Sequence, residues 1–272
     1  MISVASLHVY PVKSCRGIER RAAVVTDAGL EHDREWMVVG ADGRFLTQRE
    51  QPRLALIDTE VDDTALRLSA AGHGSVDVTL ALKGAAREVV VWQHRCVAHD
   101  QGDAPARWLS ELLGRPARLV RFDPAHRRPS DHAFTGLANG YSRFADAYAL
   151  LLISRASLGD LNSRLPAPLP MNRFRPNVVL DGLGAYGEDR LHELRAGPVT
   201  LRLVKPCTRC AIPTTDQETA RRDPSEEPLR TLRGYRWDAR LRGVTFGQNA
   251  IVIDGAGASM QAGQSFVVTQ RA

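Results

Sequence analysis

Lysine is almost missing from this chain: of 36 basic residues only Lys13, Lys83 and Lys205 are lysines, and the rest are arginines. Cysteine is scarce too. Cys15, Cys96, Cys207 and Cys210 are too few and too scattered over 272 residues for a disulfide framework. No apolar run is long enough to span a bilayer. The opening stretch Met1 to Tyr10 has neither a basic leader nor a long apolar core, so no signal peptide is read there and a cytoplasmic location is expected. The glycine-rich nucleotide signatures and the serine-nucleophile elbow are absent. No basic run exceeds a few residues, and no helix-turn-helix or finger spacing occurs, so neither nucleic acid nor a membrane is an expected partner.

What is present is the composition of a soluble globular protein, 43% hydrophobic and 25% charged, with length for one large domain or two ordinary ones. The net charge of +5 is modest, but it is carried by arginine, whose planar fork suits phosphate or carboxylate. Short alternating, β-branched runs recur with turn signals between them: Val4–Val12, Arg21–Thr26, Arg34–Val39, Arg44–Gln48, Leu54–Glu60, Ala65–Ser69, Asp77–Leu80, Glu88–Val91 and Leu119–Phe122. That spacing predicts a β-barrel or sandwich rather than alternating strands and helices. Helical spacing is confined to Ala104–Leu113, to Ser154–Arg164 with Ser154 as N-cap, and to the end of Arg221–Arg233. Further strands are expected at Tyr148–Ile153, Arg173–Leu180, Val199–Val204, Gly247–Asp254 and Ser265–Thr269. Pro124–Asn139, polar and rich in His, Arg and Pro, reads as a surface loop beside a domain junction, which divides the chain into 1–122 and 123–272.

One stretch carries chemistry: Lys205-Pro-Cys-Thr-Arg-Cys210. Pro206 and Pro213 bracket the cysteines, which suits a strand end opening into a loop. Arg209 lies between the two thiols, and a neighbouring positive charge favours thiolate. A lone Cys-x-x-Cys is a weak zinc signal, and completing it with Cys96 and His94 or His99 fits no standard spacing. A redox pair would need a strand–helix unit that the pattern lacks. A single thiolate ligand to a cofactor-bound metal is the remaining possibility. Elsewhere Lys13-Ser14, Arg34 and Arg175-Pro176-Asn177 place anion-binding groups in loops or at strand ends, far apart in sequence.

Together these pieces resemble a known family. Tyr10-Pro-Val-Lys-Ser-Cys-Arg-Gly17, Gly29-Leu-x-x-Asp-Arg-x-Trp36, Phe45-Leu-Thr-Gln-Arg49 and Pro52-Arg-Leu-Ala-Leu-Ile57 look like the N-terminal β-barrel domain of MOSC proteins. Phe144-Ala-Asp146, Ser154-x-Ala-Ser-Leu-x-Asp-Leu-Asn162, Asn172-Arg-Phe-Arg-Pro-Asn177, Lys205-Pro-Cys-Thr-Arg-Cys210 and Phe246-Gly-Gln248 resemble the MOSC domain itself, a likeness that extends to the mitochondrial amidoxime-reducing components and their bacterial relatives. The resemblance implies a mainly β protein with a few helices, built from an N-terminal β-barrel-like domain and a MOSC β-barrel domain. It implies a molybdenum cofactor, a pyranopterin, in a cleft between them. Cys210 would be the metal ligand and the catalytic cysteine. Lys13, Ser14, Arg34, Asp146, Arg175, Asn177, Thr208 and Arg209 would contact the cofactor, and Cys207 would support. The implied reaction is reduction of small N-hydroxylated substrates, with electrons from a separate ferredoxin or flavin reductase, since the chain shows no redox-carrier motif of its own. At family level the resemblance also carries pyridoxal phosphate binding, for which no residue here is singled out. Two departures stand out: Asp146-Ala-Tyr148 where eukaryotic relatives have Asp-Thr-Ser, and Asn249 where they have tyrosine. The rival readings are a cofactor or persulfide-sulfur carrier and a zinc-stabilised binding module.

Overall fold

Leu150–Ser154 and Val178–Asp181 form the one parallel pair of a large mixed sheet, and the helix Arg155–Asn162 makes the crossover between them. Ser154 caps that helix as its sequence predicts, its hydroxyl accepting from the Ser157 N–H at 3.0 Å. The computed structural model describes residues 1–270. Nine strands make this sheet, in the order Val267–Gln270, Leu191–Ala196, Val199–Thr208, Gly243–Asp254, Leu150–Ser154, Val178–Asp181, Ser3–Val9 and Ile18–Arg20, with Trp237–Asp238 pairing separately onto Gly243–Asp254. The chain's first strand is thus hydrogen-bonded beside strands from its second half. Val4, Leu7, Val9, Val25 and Leu30 share a core with Leu152, Leu180, Leu201 and Ala250.

A four-stranded sheet of Trp36–Val39, Arg118–Phe122, His94–Asp100 and Ala86–Val91 shares a core with the three-stranded sheet Asp58–Val61, Ala65–Ala70 and Gly74–Thr79. The three-stranded sheet Ser259–Gln261, Ala22–Thr26 and Gly29–Leu30 packs instead into the core of the large sheet. Trp36–Val39 is buried on both faces. Trp36 and Val38 enter one core with Leu54, Leu66 and Leu109, whereas Met37 and Val39 enter another with Val91, Cys96 and Phe144. Period-two side-chain direction explains why so short an apolar run can serve two cores. The helix Asp103–Leu113 lays Ala106, Leu109, Leu112 and Leu113 into the first of these and ends on Gly114 in the left-handed conformation.

Several expected strands take other forms. Pro52–Leu56 is a 3-10 turn, with proline at its start, and extended pairing begins only at Asp58. Arg44–Gln48 contributes only isolated bridges at Arg44 and Phe45. Arg173–Leu180 opens as a 3-10 turn over Met171–Arg173 and becomes a strand at Val178, because Pro176 removes an N–H and Arg175 sits at φ 57°. Conversely, Val199–Thr208 does not end at Pro206. It runs through Pro206 and Cys207, with ladder irregularities at Leu203/Lys205 and Pro206/Thr208 that accommodate the missing donor. His94–Asp100, read above only as a possible metal cluster, is a strand.

Gly247, inside Phe246-Gly-Gln248, has φ 80°, and a Cβ there would meet Leu152 O at 2.8 Å and Ile153 Cγ1 at 2.6 Å. Only glycine lets two neighbouring strands approach this closely.

Candidate functional site

Three cleft residues hold left-handed backbone without being glycine: Ser14 at φ 70°, Arg34 at φ 45° and Arg175 at φ 57°. Such conformations cost energy and persist only where surroundings impose them. The surroundings here are loops knitted edge to edge. Lys13 N–H donates to Trp36 O, Arg34 N–H to Tyr10 O, and Phe144 N–H to Arg34 O. Gln48, fully buried, donates to Ser14 O at 2.7 Å and pairs amide to amide with Gln217, 169 residues away.

The cleft so formed encloses about 790 Å³, counted to its open mouth. All nine residues singled out in the sequence line it: Lys13, Ser14, Arg34, Asp146, Arg175, Asn177, Thr208, Arg209 and Cys210. Lys13 is buried and donates to Phe144 O at 2.9 Å and to the Asp146 carboxylate. Burial pushes the Lys13 ammonium down, with Asp146 pulling the other way. For Asp146, burial would raise the carboxyl, but Lys13, Arg49 and the Trp92 indole more than reverse this, and it stays well below the usual range. Half of its side chain remains open to the cleft.

Arg34 grips both oxygens of buried Asp33 through Nη1, at 2.7 Å each, and donates from Nη2 to Arg175 O. The Arg34 and Arg175 guanidiniums both lie over the Tyr10 ring, at 4.2 and 4.3 Å. Arg175 is buried, burial and the Arg34 charge bring it down to about 10, and its Nη2 has no hydrogen-bond partner. Asn177 spends its amide on the scaffold, accepting from Leu151 N–H and donating to His8 O. It holds neighbouring strands in register as much as it lines the cleft.

Cys207 and Cys210 are both free thiols. Arg209 reaches Cys207, not Cys210: Nη1 lies 3.2 Å from the Cys207 sulfur while Nη2 donates to Phe174 O at 2.8 Å. Arg209 does favour thiolate at Cys207, as its position between the cysteines predicts, but burial outweighs it and the thiol goes up. Cys210 lies two residues past Thr208, the strand's last residue, and just before the 3-10 turn Ile212–Thr214. The zinc constellation does not assemble. Cys96 lies in the hydrophobic core, His99 is held between Gly84 O and Asp123, and no group of three or more His, Cys, Asp or Glu among the described residues is arranged to hold a metal ion.

Three further residues, Arg128, Trp92 and Arg49, contribute to the site. Arg128 is buried and hydrogen-bonds the carbonyls of Arg143, Ala145 and Asp146, so it shapes the loop that presents Asp146. It lies in Pro124–Asn139, whose polarity gave no sign of a buried anchor. Trp92 donates from Nε1 to Asp146 at 3.1 Å, and Arg49 stacks on its ring at 4.4 Å. Arg49 stands in Phe45-Leu-Thr-Gln-Arg49, so that motif was the available signal.

Five cations therefore line the cleft, Lys13, Arg34, Arg49, Arg175 and Arg209, against one lining carboxylate, Asp146. The profile of the MOSC N-terminal beta barrel domain matches residues 1–116, and that of the MOSC domain matches residues 139–266. Mitochondrial amidoxime-reducing component 1 of Homo sapiens is 38% identical over 248 residues, covering 86% of this chain and 72% of the relative. The chain belongs to the MOSC family. Mitochondrial amidoxime reducing component 2 of Bos taurus is 35% identical, with 86% and 72% of the two chains covered. Molybdenum cofactor sulfurase of Oryza sativa subsp. japonica is 34% identical over 256 residues, which cover 86% of this chain but 31% of that longer protein. The domain order and mainly β architecture expected of a MOSC protein are those observed. No helix among the described residues is long and apolar enough to cross a membrane.

Proposed function

We propose that this MOSC protein is a molybdenum-cofactor-dependent reductase of small N-hydroxylated compounds (amidoximes, N-hydroxylamines, N-hydroxylated bases) that takes its electrons from a separate donor protein. One observation carries the reading: a buried guanidinium nitrogen, Arg175 Nη2, has no partner and lines a cleft whose other cations outnumber its acids. An unpaired buried cation is costly, and an anionic ligand removes that cost. The donor set fits a phosphorylated, sulfur-rich cofactor. Lys13, Arg34 and Arg175, with the Ser14 hydroxyl, would hold its anionic end through charge-assisted hydrogen bonds. Asp146, kept ionised, would accept from its N–H groups. Cys210 would supply the soft sulfur ligand that molybdenum takes. When bound, the cofactor would supply two-electron redox chemistry. The protein's own part is to fix the Cys210 backbone through the Arg209 N–H to Val244 O hydrogen bond, 2.8 Å long, and to anchor the Arg209 side chain on Phe174.

The likeness to a molybdenum cofactor sulfurase supports a second reading, a non-catalytic cofactor or persulfide-sulfur carrier on Cys210. Both are tested by purifying wild type and Cys210→Ala from a cofactor-competent, molybdenum-replete host. The reductase reading expects stoichiometric molybdenum in the wild type and benzamidoxime reduction with dithionite-reduced methyl viologen, both lost in the variant. Cyanolysable sulfur on Cys210 without reduction would transfer the assignment to the carrier. Zinc in place of molybdenum would sink both.

A further inference from the structure

Leu229–Gly243 holds five arginines, Arg230, Arg233, Arg236, Arg240 and Arg242, against the single acid Asp238. The first three are committed elsewhere: Arg230 to Glu227, Arg233 to Glu226 and Arg236 to Asp189. Arg240 and Arg242 lie in the turn of the hairpin that joins Trp237–Asp238 to Gly243–Asp254. Both are exposed, and neither forms an ion pair with any described residue. Arg242 moreover holds φ 51°, a conformation that glycine would adopt without strain. At the base of the same hairpin Trp237 is 55% exposed. A tryptophan left open beside unpaired arginines has the residue make-up of an interface centre, not of an idle surface.

The hairpin's inner side leads to the cleft. Trp237 stands opposite Val244 in the sheet. Val244 O accepts the Arg209 N–H at 2.8 Å, and the next residue is Cys210. Gly243 packs against Thr208, where a Cβ would come within 3.2 Å of Thr208 Cγ2. The exposed indole is therefore one strand pairing and one hydrogen bond from the backbone of the residue before the proposed metal ligand.

We infer that this hairpin is the docking face for the electron donor, an acidic one-electron carrier protein. The inference rests on the reductase reading. Unpaired arginines steer an acidic partner and fix its orientation. A second copy of this chain fits worse, because an isologous contact would set the same arginines against each other. Each reduced donor delivers one electron and leaves oxidised. Two donors and two protons are consumed for each N–O bond broken, the nitrogen ends as N–H, and the oxygen departs as water.

The test compares wild type with Arg240→Glu/Arg242→Glu and with Trp237→Ala, all as full-length, cofactor-loaded protein. Reduced plant-type ferredoxin serves as protein donor and reduced methyl viologen as the small one. Benzamidoxime reduction with viologen should be unchanged. With ferredoxin, KM should rise about tenfold and the salt dependence of the rate should flatten in the double variant, as expected when the arginine charges guide encounter. Calorimetric titration of oxidised ferredoxin should weaken by the same factor. Unaltered ferredoxin binding in both variants would overturn the proposal. So would a viologen rate that falls in step with the ferredoxin rate, or a wild-type dimer in sedimentation that the variants dissociate. A wild type that binds ferredoxin at this face but reduces nothing with viologen would keep the docking face and remove the reductase reading.

Discussion

Arg209 gives one guanidinium hydrogen to the sulfur of Cys207 and another to the carbonyl of Phe174, at 3.2 and 2.8 Å. The sulfur that the arginine holds is thus the one two residues before it, and no described residue hydrogen-bonds the sulfur of Cys210. Two cysteines that look equivalent in sequence have different environments.

That difference should appear in metal retention. Cys207→Ala is expected to keep most of its molybdenum and to lose about tenfold in activity, as for loss of a residue that orients a ligand's neighbours. Cys210→Ala should lose both. Metal analysis of the two variants side by side checks this, and equal loss in both would mean that the sulfurs share the ligand role.

Arg175 predicts opposite effects in the empty and loaded protein. Its Nη2 is buried without a partner, so cofactor-free Arg175→Met should gain stability, by about 1 kcal/mol. The same variant, prepared in a cofactor-competent host, should retain little cofactor. Thermal melts of both forms settle the matter. A cofactor-free variant that melts below wild type would show that the guanidinium already has compensation.

Glu35 gives a pH dependence whose sign is fixed. Burial would raise its carboxyl, but the His32 hydrogen bond and the Arg121 and Arg143 charges more than reverse this, and it falls from 4.5 to about 2. A depressed carboxyl stabilises the fold above its unfolded value, and that contribution is lost as pH falls through the folded one. Glu35→Gln should therefore cost roughly 2–3 kcal/mol at neutral pH, with the gap to wild type closing between about pH 4.5 and 2. Urea unfolding at several pH values measures it. A gap that stays constant with pH would mean that Glu35 acts through packing, not charge.

Much of this protein is legible in its sequence. Ser154 announced a helix start because a side-chain oxygen can satisfy a free N–H locally. The stripe Ala106, Leu109, Leu112 and Leu113 announced a buried helix face. The site residues were legible for a different reason: their motifs, not their spacing, resembled those of a family. Where local rules misled, a longer-range contact won. Pro206 reads as a strand end, yet its neighbours in Gly243–Asp254 carry the strand past it.

Local sequence was enough for the mainly β class, the Ser154-capped helix, the arginine-borne charge and the identity of the residues now found around the cleft. Those depend on local propensity and on patterns a few residues long. Tertiary structure alone decided that Ser3–Val9 joins the sheet of the second half, that Lys13 meets Asp146 across 133 residues, and that Arg209 holds Cys207. It alone left Arg175 Nη2 without a partner. Each of these is a pairing between segments remote in the chain, and burial chooses such partners by what the whole fold brings within reach.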